Sequence, residues 1–383
     1  MQNFIINNPT CLHFGRNVIS QLPAVMQNYG KRVLLLSGKN SIKTNGIHTA
    51  VMEQLQQADA TVVEYSGIKS NPVISDVDAA AQLGRQHNVE LIVAVGGGSV
   101  IDSAKIIALA IPLKTPAWDI FEYKVKPTVA IPLMAVLTLA ATGTEMNAFA
   151  VVQNDATKQK PGFYSPHIFP KHAFLDPEYT FSVPANYTAY GIVDLIAHAL
   201  EGFFGAGETT LTDKFIFAII KEAVEFGPLL MTDLTNYRYR EKIMFAATCA
   251  LNGTTAFGKK SGDWGVHGLG HALSALYDVP HGASLSVAYL AWMKYFKESI
   301  EPSLLLLGNN IFGVATPIET IACFERFFNQ IGAPVRMHQL GLSQTANTKE
   351  IEALVENLII NKVNGDNYKM THDDFRGILK LAY

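Results

Sequence analysis

Asp194 and His198 stand four residues apart in GIVDLIAHALEG, and His267 and His271 four apart in DWGVHGLGHALSALYDVPHG. His281 follows ten residues after His271, just past the break at Pro280. At helical spacing each pair projects from one face, about one turn apart. A single histidine on an apolar face is ordinarily a core residue with a hydrogen-bonded partner. Here each pair would bury at least two polar groups that need partners, and one shared metal ion satisfies them all at once. Carboxylate and imidazole donors with no cysteine beside them suit Zn²⁺, Fe²⁺ or Mn²⁺. Four protein ligands around an ion with an open fifth position would be catalytic, whereas a closed tetrahedral set would be structural. An all-helical domain of this size needs no metal to fold, which favours catalysis.

A second constellation is the run Leu91–Val95 followed by Gly96, Gly97, Gly98 and Ser99, with Val100–Lys105 opening a helix. Glycines let the backbone approach an anion closely, and the free N–H groups of a helix N-terminus favour negative charge. The run matches neither GxGxxG nor a Walker A loop, because no GK[ST] follows, so a kinase-like phosphate site is disfavoured. Ser99 and Asp102 have the spacing of a capping box, and Asp102 could equally accept a hydrogen bond from a ribose hydroxyl or a nicotinamide amide. Gly38, Lys39, Ser41 and Lys43 follow an earlier strand-like run. Exposed lysines are usually solvated, yet two after such a strand could recognise an adenosine 2′-phosphate, favouring NADPH over NADH. Thr138, Thr142 and Thr144 in LTLAATGTE offer hydroxyls for the nicotinamide end, or are ordinary loop residues.

The elements that must position these groups fall into two kinds. Arg32–Ser37, Thr61–Tyr65, Leu91–Val95 and Val129–Thr138 are short apolar runs, separated by helix-like stretches at Asn45–Asp59 and Ser75–His87. Continuous Val/Leu/Ile runs alternating with helices predict an α/β domain, a parallel sheet with helices on both faces. Five of the 17 prolines lie from Pro161 to Pro184, which predicts a linker. Beyond it Thr188–Phe204, Thr212–Phe226 and Arg238–Leu251 carry apolar residues at spacings of three and four, predicting an all-α domain. The expected division is an α/β domain over 1–180 and a helical domain over 181–383. A chain of 383 residues agrees with two domains.

Composition narrows the partners. Hydrophobic residues make up 49 % and charged residues 16 % of the chain, and the net charge is −3, which gives no footprint for nucleic acid. Cys11, Cys249 and Cys323 lie far apart and suit a reducing compartment. MQNFIINNPT lacks the basic and apolar regions of a signal peptide, and no apolar run is long enough to span a membrane. A cytoplasmic protein acting on small molecules is expected.

With these pieces the chain closely resembles the iron-containing (group III) alcohol dehydrogenases, in their butanol-dehydrogenase-like, NADPH-dependent aldehyde reductase branch. The likeness covers nearly the whole length. It is carried by FGRN near the start, GIKSNPV at 67–73, GGGSVIDSAK at 96–105, ATGTEMN at 141–147 and HGLGHALSALYDVPHG from His267. The resemblance implies an N-terminal dinucleotide-binding domain, a C-terminal helical domain and an active site between them. By the same likeness Asp194, His198, His267 and His281 are the metal ligands, and His271 lies near the nicotinamide. Gly96, Gly97, Gly98 and Ser99 would hold the pyrophosphate, with Asp102, Thr138, Thr142 and Lys160 as further cofactor contacts. The branch often has a glycine run after the first of these strands, where this chain has Gly38-Lys39-Asn40-Ser41.

The chemistry so implied is hydride exchange between NAD(P)H and an aldehyde or primary alcohol such as butyraldehyde or butanol. The metal, Fe²⁺ or Zn²⁺, would polarise the substrate oxygen and His271 would relay the proton. A homodimer is implied by resemblance alone. A glycerol-dehydrogenase-like polyol oxidoreductase and a metal-dependent hydrolase are the competing readings of the same residues.

Overall fold

The computed structural model describes residues Met1–Tyr383. Six strands form one sheet: β1 (Cys11–Phe14), β2 (Arg32–Gly38), β3 (Thr61–Ile68), β4 (Leu91–Gly96), β5 (Leu133–Leu137) and, after a two-stranded hairpin of β6 (Phe149–Val151) and β7 (Gly162–Tyr164), β8 (His172–Leu175). Their order is β1-β8-β5-β4-β2-β3 and every pairing is parallel. The apolar runs follow from burial on both faces. Leu34, Leu36, Ile92, Ala94, Ala135 and Leu137 enter one core, while Val33, Leu35, Val93, Val95 and Val136 enter the other. Each fully buried Val, Leu or Ile among them stabilises the fold by about 1.5–3 kcal/mol.

Strand order places the two chemical segments of this unit side by side. From β2 the chain goes to β3 on one side, then crosses back to β4 on the other, so the order reverses between β2 and β4. Ser37 is in register with Val95 across that point. The residues that leave the two strand ends, Gly38-Lys39 and Gly96-Gly97, therefore flank the crevice in which open α/β sheets bind ligands.

The expected linker at Pro161–Pro184 is not one. It contains β7 and β8, and β8 pairs with both β1 and β5 inside the sheet. The prolines bound the elements without interrupting them: Pro166 and Pro177 open short 3₁₀ turns, and Pro184 caps the following helix. A strand of four residues, HAFL, between Pro170 and Pro177 leaves too short a run to stand out by pattern. The run expected over Val129–Thr138 pairs only from Leu133 to Leu137.

From Ala185 onward the chain is helical. Its principal helices are Ala185–Phe204, Thr210–Thr232, Tyr237–Leu251, Gly265–Tyr277, His281–Tyr295, Glu301–Leu307, Pro317–Gln330, Thr348–Ile360 and His372–Leu381. The contacts divide the chain into two compact units. One holds Asn7–Val183 with Thr235–Met244, the other Met1–Ile6, Pro184–Leu234 and Phe245–Tyr383. The excursion at 235–244 has a physical basis: Met244 is buried in the α/β core, Arg240 donates to the Val183 carbonyl, and Arg16 lies over the Tyr237 ring at 3.8 Å. No single helix is long and apolar enough to cross a membrane.

One buried lysine ties the helix after the glycine turn, Gly98–Leu113, to the β6 hairpin. Lys105 Nζ donates to Thr144 Oγ1 at 2.6 Å, Asn147 Oδ1 at 3.0 Å and the Phe149 carbonyl at 2.7 Å. Burial pushes its amine down to about 8, against the pull of Asp102 and Glu145. Because the folded-state value lies below the unfolded 10.5, the unfolded chain binds the extra proton between those limits. Stability contributed through Lys105 therefore rises as pH increases from about 8 to 10.5. Denaturant unfolding across that window should show wild type gaining on Lys105→Met by up to about 3 kcal/mol; parallel pH profiles would contradict this placement of the charge.

Candidate active site

The helix Ala185–Phe204 aims Asp194 and His198 to one side, and both are buried. The helix Gly265–Tyr277 supplies His267, also buried, and His281 is the first residue of the helix His281–Tyr295. Their donor atoms converge on the Asp194 carboxylate. Asp194 Oδ1 lies 3.7 Å from His198 Nδ1, 3.9 Å from His267 Nε2 and 3.7 Å from His281 Nε2. These separations exceed a hydrogen bond, whereas donors bonded at about 2.1 Å to a tetrahedral ion lie roughly 3.4 Å apart. Asp194, His267 and His281 each bring a ligand atom within 4.8 Å of the others. His198 stands beside that trio, with its ring stacked on His267 at 4.7 Å between centroids.

Close helix packing makes this convergence possible. A Cβ on Gly282 would collide with the Tyr190 carbonyl, so only glycine lets the residue after His281 lie against the helix that carries Asp194. At Gly270 a Cβ would stand 2.8 Å from Ser284 Oγ, which sets the approach of the two histidine-bearing helices.

Burial keeps His198 and His267 neutral. Burial lowers His198 to about 3, and burial together with His198 and His271 holds His267 well below its ordinary value. Glu201, seven residues after Asp194 on the same helix, accepts the His267 backbone N–H at 3.1 Å on the same Oε1 that meets His267 Nδ1 at 2.6 Å. An oxygen already accepting from the backbone takes the ring N–H as well. The proton of His267 therefore sits on Nδ1, and Nε2 turns its lone pair toward Asp194. Burial, with Asp263 second, holds the Glu201 carboxyl well above the usual range. The nitrogens His198 Nδ1 and His267 Nε2 are buried without a hydrogen-bond partner. Neutral imidazole nitrogens buried without partners beside a carboxylate fit a divalent cation.

His271 is half-buried, its ring 5.0 Å from that of His281 and 6.4 Å from that of His267. Glu201 is the residue that sequence reasoning missed. Its signal was the spacing 194, 198 and 201, three polar residues on one face of an otherwise apolar helix.

In the α/β unit the glycine turn has two physical reasons for its composition. The helix starts at Gly98, and Gly97 at its N-cap supplies no side-chain cap, so the first N–H groups have no side chain over them. Packing demands glycine at two of the three as well: a Cβ on Gly98 would lie 2.5 Å from Thr142 Cγ2 and one on Gly96 equally close to Val100, while one on Gly97 would make a tight contact of 3.2 Å with Leu139 Cβ. None of the three has a left-handed φ. Such a cradle, formed by bare backbone at a helix N-terminus, fits a phosphate.

The capping box expected of Ser99 and Asp102 does not form. The helix begins two residues earlier than that pattern needs, the Ser99 hydroxyl donates to the Ser70 carbonyl, and Asp102 accepts from Thr144 Oγ1 at 2.6 Å and Val151 N at 2.9 Å. Burial raises the Asp102 carboxyl, opposed by Lys105 and then by these hydrogen bonds. Thr138 donates its backbone N–H to the Gly96 carbonyl at 3.0 Å, and Thr142 Oγ1 accepts from Thr144 N at 3.3 Å. Lys160 is buried and donates to Asn71 Oδ1 at 2.8 Å. Gly38 is half-buried at the end of β2, while Lys39 and Ser41 beyond it are exposed.

Comparison with known proteins agrees with this geometry. Residues 9–177 match the model of the iron-containing alcohol dehydrogenases, and residues 188–383 match the C-terminal model of the same family. The chain is 38 % identical, over the whole of both chains, to the probable NADH-dependent butanol dehydrogenase 1 of Bacillus subtilis. It is 33 % identical, again over the whole of both, to the NADPH-dependent aldehyde reductase YqhD of Escherichia coli. The crystal structure of NADH-dependent butanol dehydrogenase A from Thermotoga maritima superposes with a TM-score of 0.96 at 36 % identity, covering 100 % of this chain and 99 % of that one. The chain belongs to the iron-containing alcohol dehydrogenase family, in its butanol-dehydrogenase-like branch, and is an oxidoreductase of alcohols and aldehydes that uses a nicotinamide cofactor and a metal.

Proposed function

We propose that this protein reduces short aliphatic aldehydes such as butyraldehyde with NADPH, and oxidises the corresponding primary alcohols, with Asp194, His198, His267 and His281 holding one Fe²⁺ or Zn²⁺. The observation that carries the reading is the convergence of three imidazoles within 3.9 Å of Asp194 Oδ1. An ion in that donor set supplies Lewis acidity to a substrate oxygen, and a nicotinamide supplies or takes up hydride.

The chain's own groups do the rest. Burial keeps His198 and His267 deprotonated, so their nitrogens are available as donors throughout the physiological range. Glu201 fixes the His267 tautomer and ring orientation. His271, outside the ligand set, gives a proton to the substrate oxygen on reduction and accepts it on oxidation.

The backbone of Gly96–Ser99 takes the pyrophosphate, with Thr138 and Thr142 beside it. Asp102 serves by fixing Thr144 and Val151 behind that turn, and Lys160 steadies Asn71 of the neighbouring loop. Preference for NADPH lies in the residues at the end of β2. The stretch Gly38–Thr44 carries Lys39 and Lys43 and no carboxylate, where a ribose 2′-hydroxyl would be held by Asp or Glu. Lys39 and Ser41 would meet the 2′-phosphate. The reading extends to a cytoplasmic homodimer and to the functional division at 180/181, supported by the family likeness.

His267→Ala should lose bound metal and at least about a hundredfold in kcat/KM. Glu201→Ala should weaken metal binding by roughly 10- to 100-fold, and His271→Ala should keep the metal while losing turnover. Elemental analysis paired with a butyraldehyde assay separates these outcomes, and a metal-replete, active His267→Ala would end the proposal. In a paired cofactor assay Lys39→Ala should lower the NADPH/NADH ratio of kcat/KM about tenfold; an unchanged ratio would refute the assignment.

A further inference from the structure

β1 is the edge strand of the parallel sheet, and its partner β8 aligns Cys11 with His172 and His13 with Phe174. Side chains alternate along a strand, so Cys11, His13, His172 and Phe174 form a two-by-two patch on one face. Leu12, Phe14, Ala173 and Leu175 point the other way into a core. Moving outward on the same face, the rung of Met134 leads to His172 and then Cys11, and that of Val136 to Phe174 and then His13. A doubly covered sheet should continue apolar here, or become charged and solvated at its edge. Instead it ends in one thiol and two imidazoles whose ligand atoms lie within 4.8 Å of one another.

The group is organised as well as close. His13 Nδ1 donates to Gln21 Oε1 at 2.6 Å, because an amide oxygen only accepts, so His13 Nε2 carries the lone pair. That nitrogen meets His172 Nδ1 at 3.0 Å. The His13 ring stacks on Phe174 at 4.6 Å between centroids, and Tyr29 approaches the His172 ring edge-on at 6.0 Å. The two imidazoles are thus held by contacts outside the trio, as the ligands of a bound ion are. Cys11 is exposed, and His13 and His172 are half-buried, so the site is open to solvent.

We propose that Cys11, His13 and His172 form a second metal site that takes a borderline-soft divalent cation of the zinc class, with water completing the coordination. The ion would replace the proton shared between His13 and His172, and bind Cys11 as thiolate. The donor sets of the two sites differ in kind: carboxylate and imidazole at Asp194 accept iron readily, whereas a thiolate with two imidazoles selects zinc over it. The inference stands whether or not the function proposed above is right, since it shares no residue with it.

Titration of metal-replete holoenzyme with Co²⁺ should produce a near-ultraviolet thiolate-to-metal absorption that saturates at one further equivalent. Cys11→Ser should abolish the band, and His13→Gln should raise the apparent Kd at least about a hundredfold. Both should keep wild-type turnover, since neither residue lies in the catalytic set, and His267→Ala should keep the band. Zn²⁺ should also slow alkylation of Cys11 in the unmodified protein, read by peptide mass spectrometry, without changing the rate at Cys249. No band in wild type, a band that survives in Cys11→Ser, or alkylation of Cys11 indifferent to Zn²⁺ would overturn the proposal.

Discussion

A buried carboxylate facing three buried or half-buried imidazoles is the constraint on which the helical unit turns. Taken out of water, each polar group left unmatched costs about 1–3 kcal/mol, and an isolated ionised carboxylate far more. His267 settles one nitrogen on Glu201, but its other nitrogen is a buried acceptor, and His198 Nδ1 is buried without a partner. At His267 a hydrogen bond to the carboxylate cannot resolve the arrangement, because an acceptor nitrogen faces acceptor oxygens. A cation can, and it turns the cost of burial into affinity. The packing of the helices follows from the same need, since Gly270 and Gly282 are the positions where a side chain would hold them apart.

The α/β unit solves a separate problem with a different device. Its central strands β2, β4 and β5 are buried on both faces, and strand order brings the turns after β2 and β4 together. The glycine run there serves two demands at once. It admits Thr142 and Val100 at distances no Cβ would tolerate, and it leaves helix N–H groups bare. Behind it, Lys105, Thr144, Asp102 and Val151 form a continuous hydrogen-bonded brace. The polar residues of this segment act largely through one another.

What could be read in advance followed periodicity and length. Long apolar runs marked β2, β3, β4 and β5, and helical spacing marked the helices carrying Asp194, His198 and His267. The short strands β1 and β8 were not legible, since four residues flanked by prolines or by a terminal segment leave no period to count. The proline-rich stretch therefore looked like a linker although it contributes a central strand. Glu201 was hidden for another reason: a lone glutamate near a helix end looks solvated until its burial is known. The Ser99–Asp102 spacing misled in the opposite direction, because a capping motif has meaning only at a helix start, and this helix starts two residues too early. The register of Cys11 with His172, separated by most of the α/β unit in sequence, could come only from the paired strands.

The central claim is that one divalent ion is what Asp194, His198, His267 and His281 are arranged around. Anomalous diffraction from crystals of the purified holoenzyme, recorded on either side of the absorption edge of the metal found by elemental analysis, tests it most directly. A single strong peak among those four side chains, with His267 Nε2 and not Nδ1 as the donor and His271 outside bonding distance, is the expected result. No peak there, or an ion ligated by His271 in place of one of the four, would contradict the account.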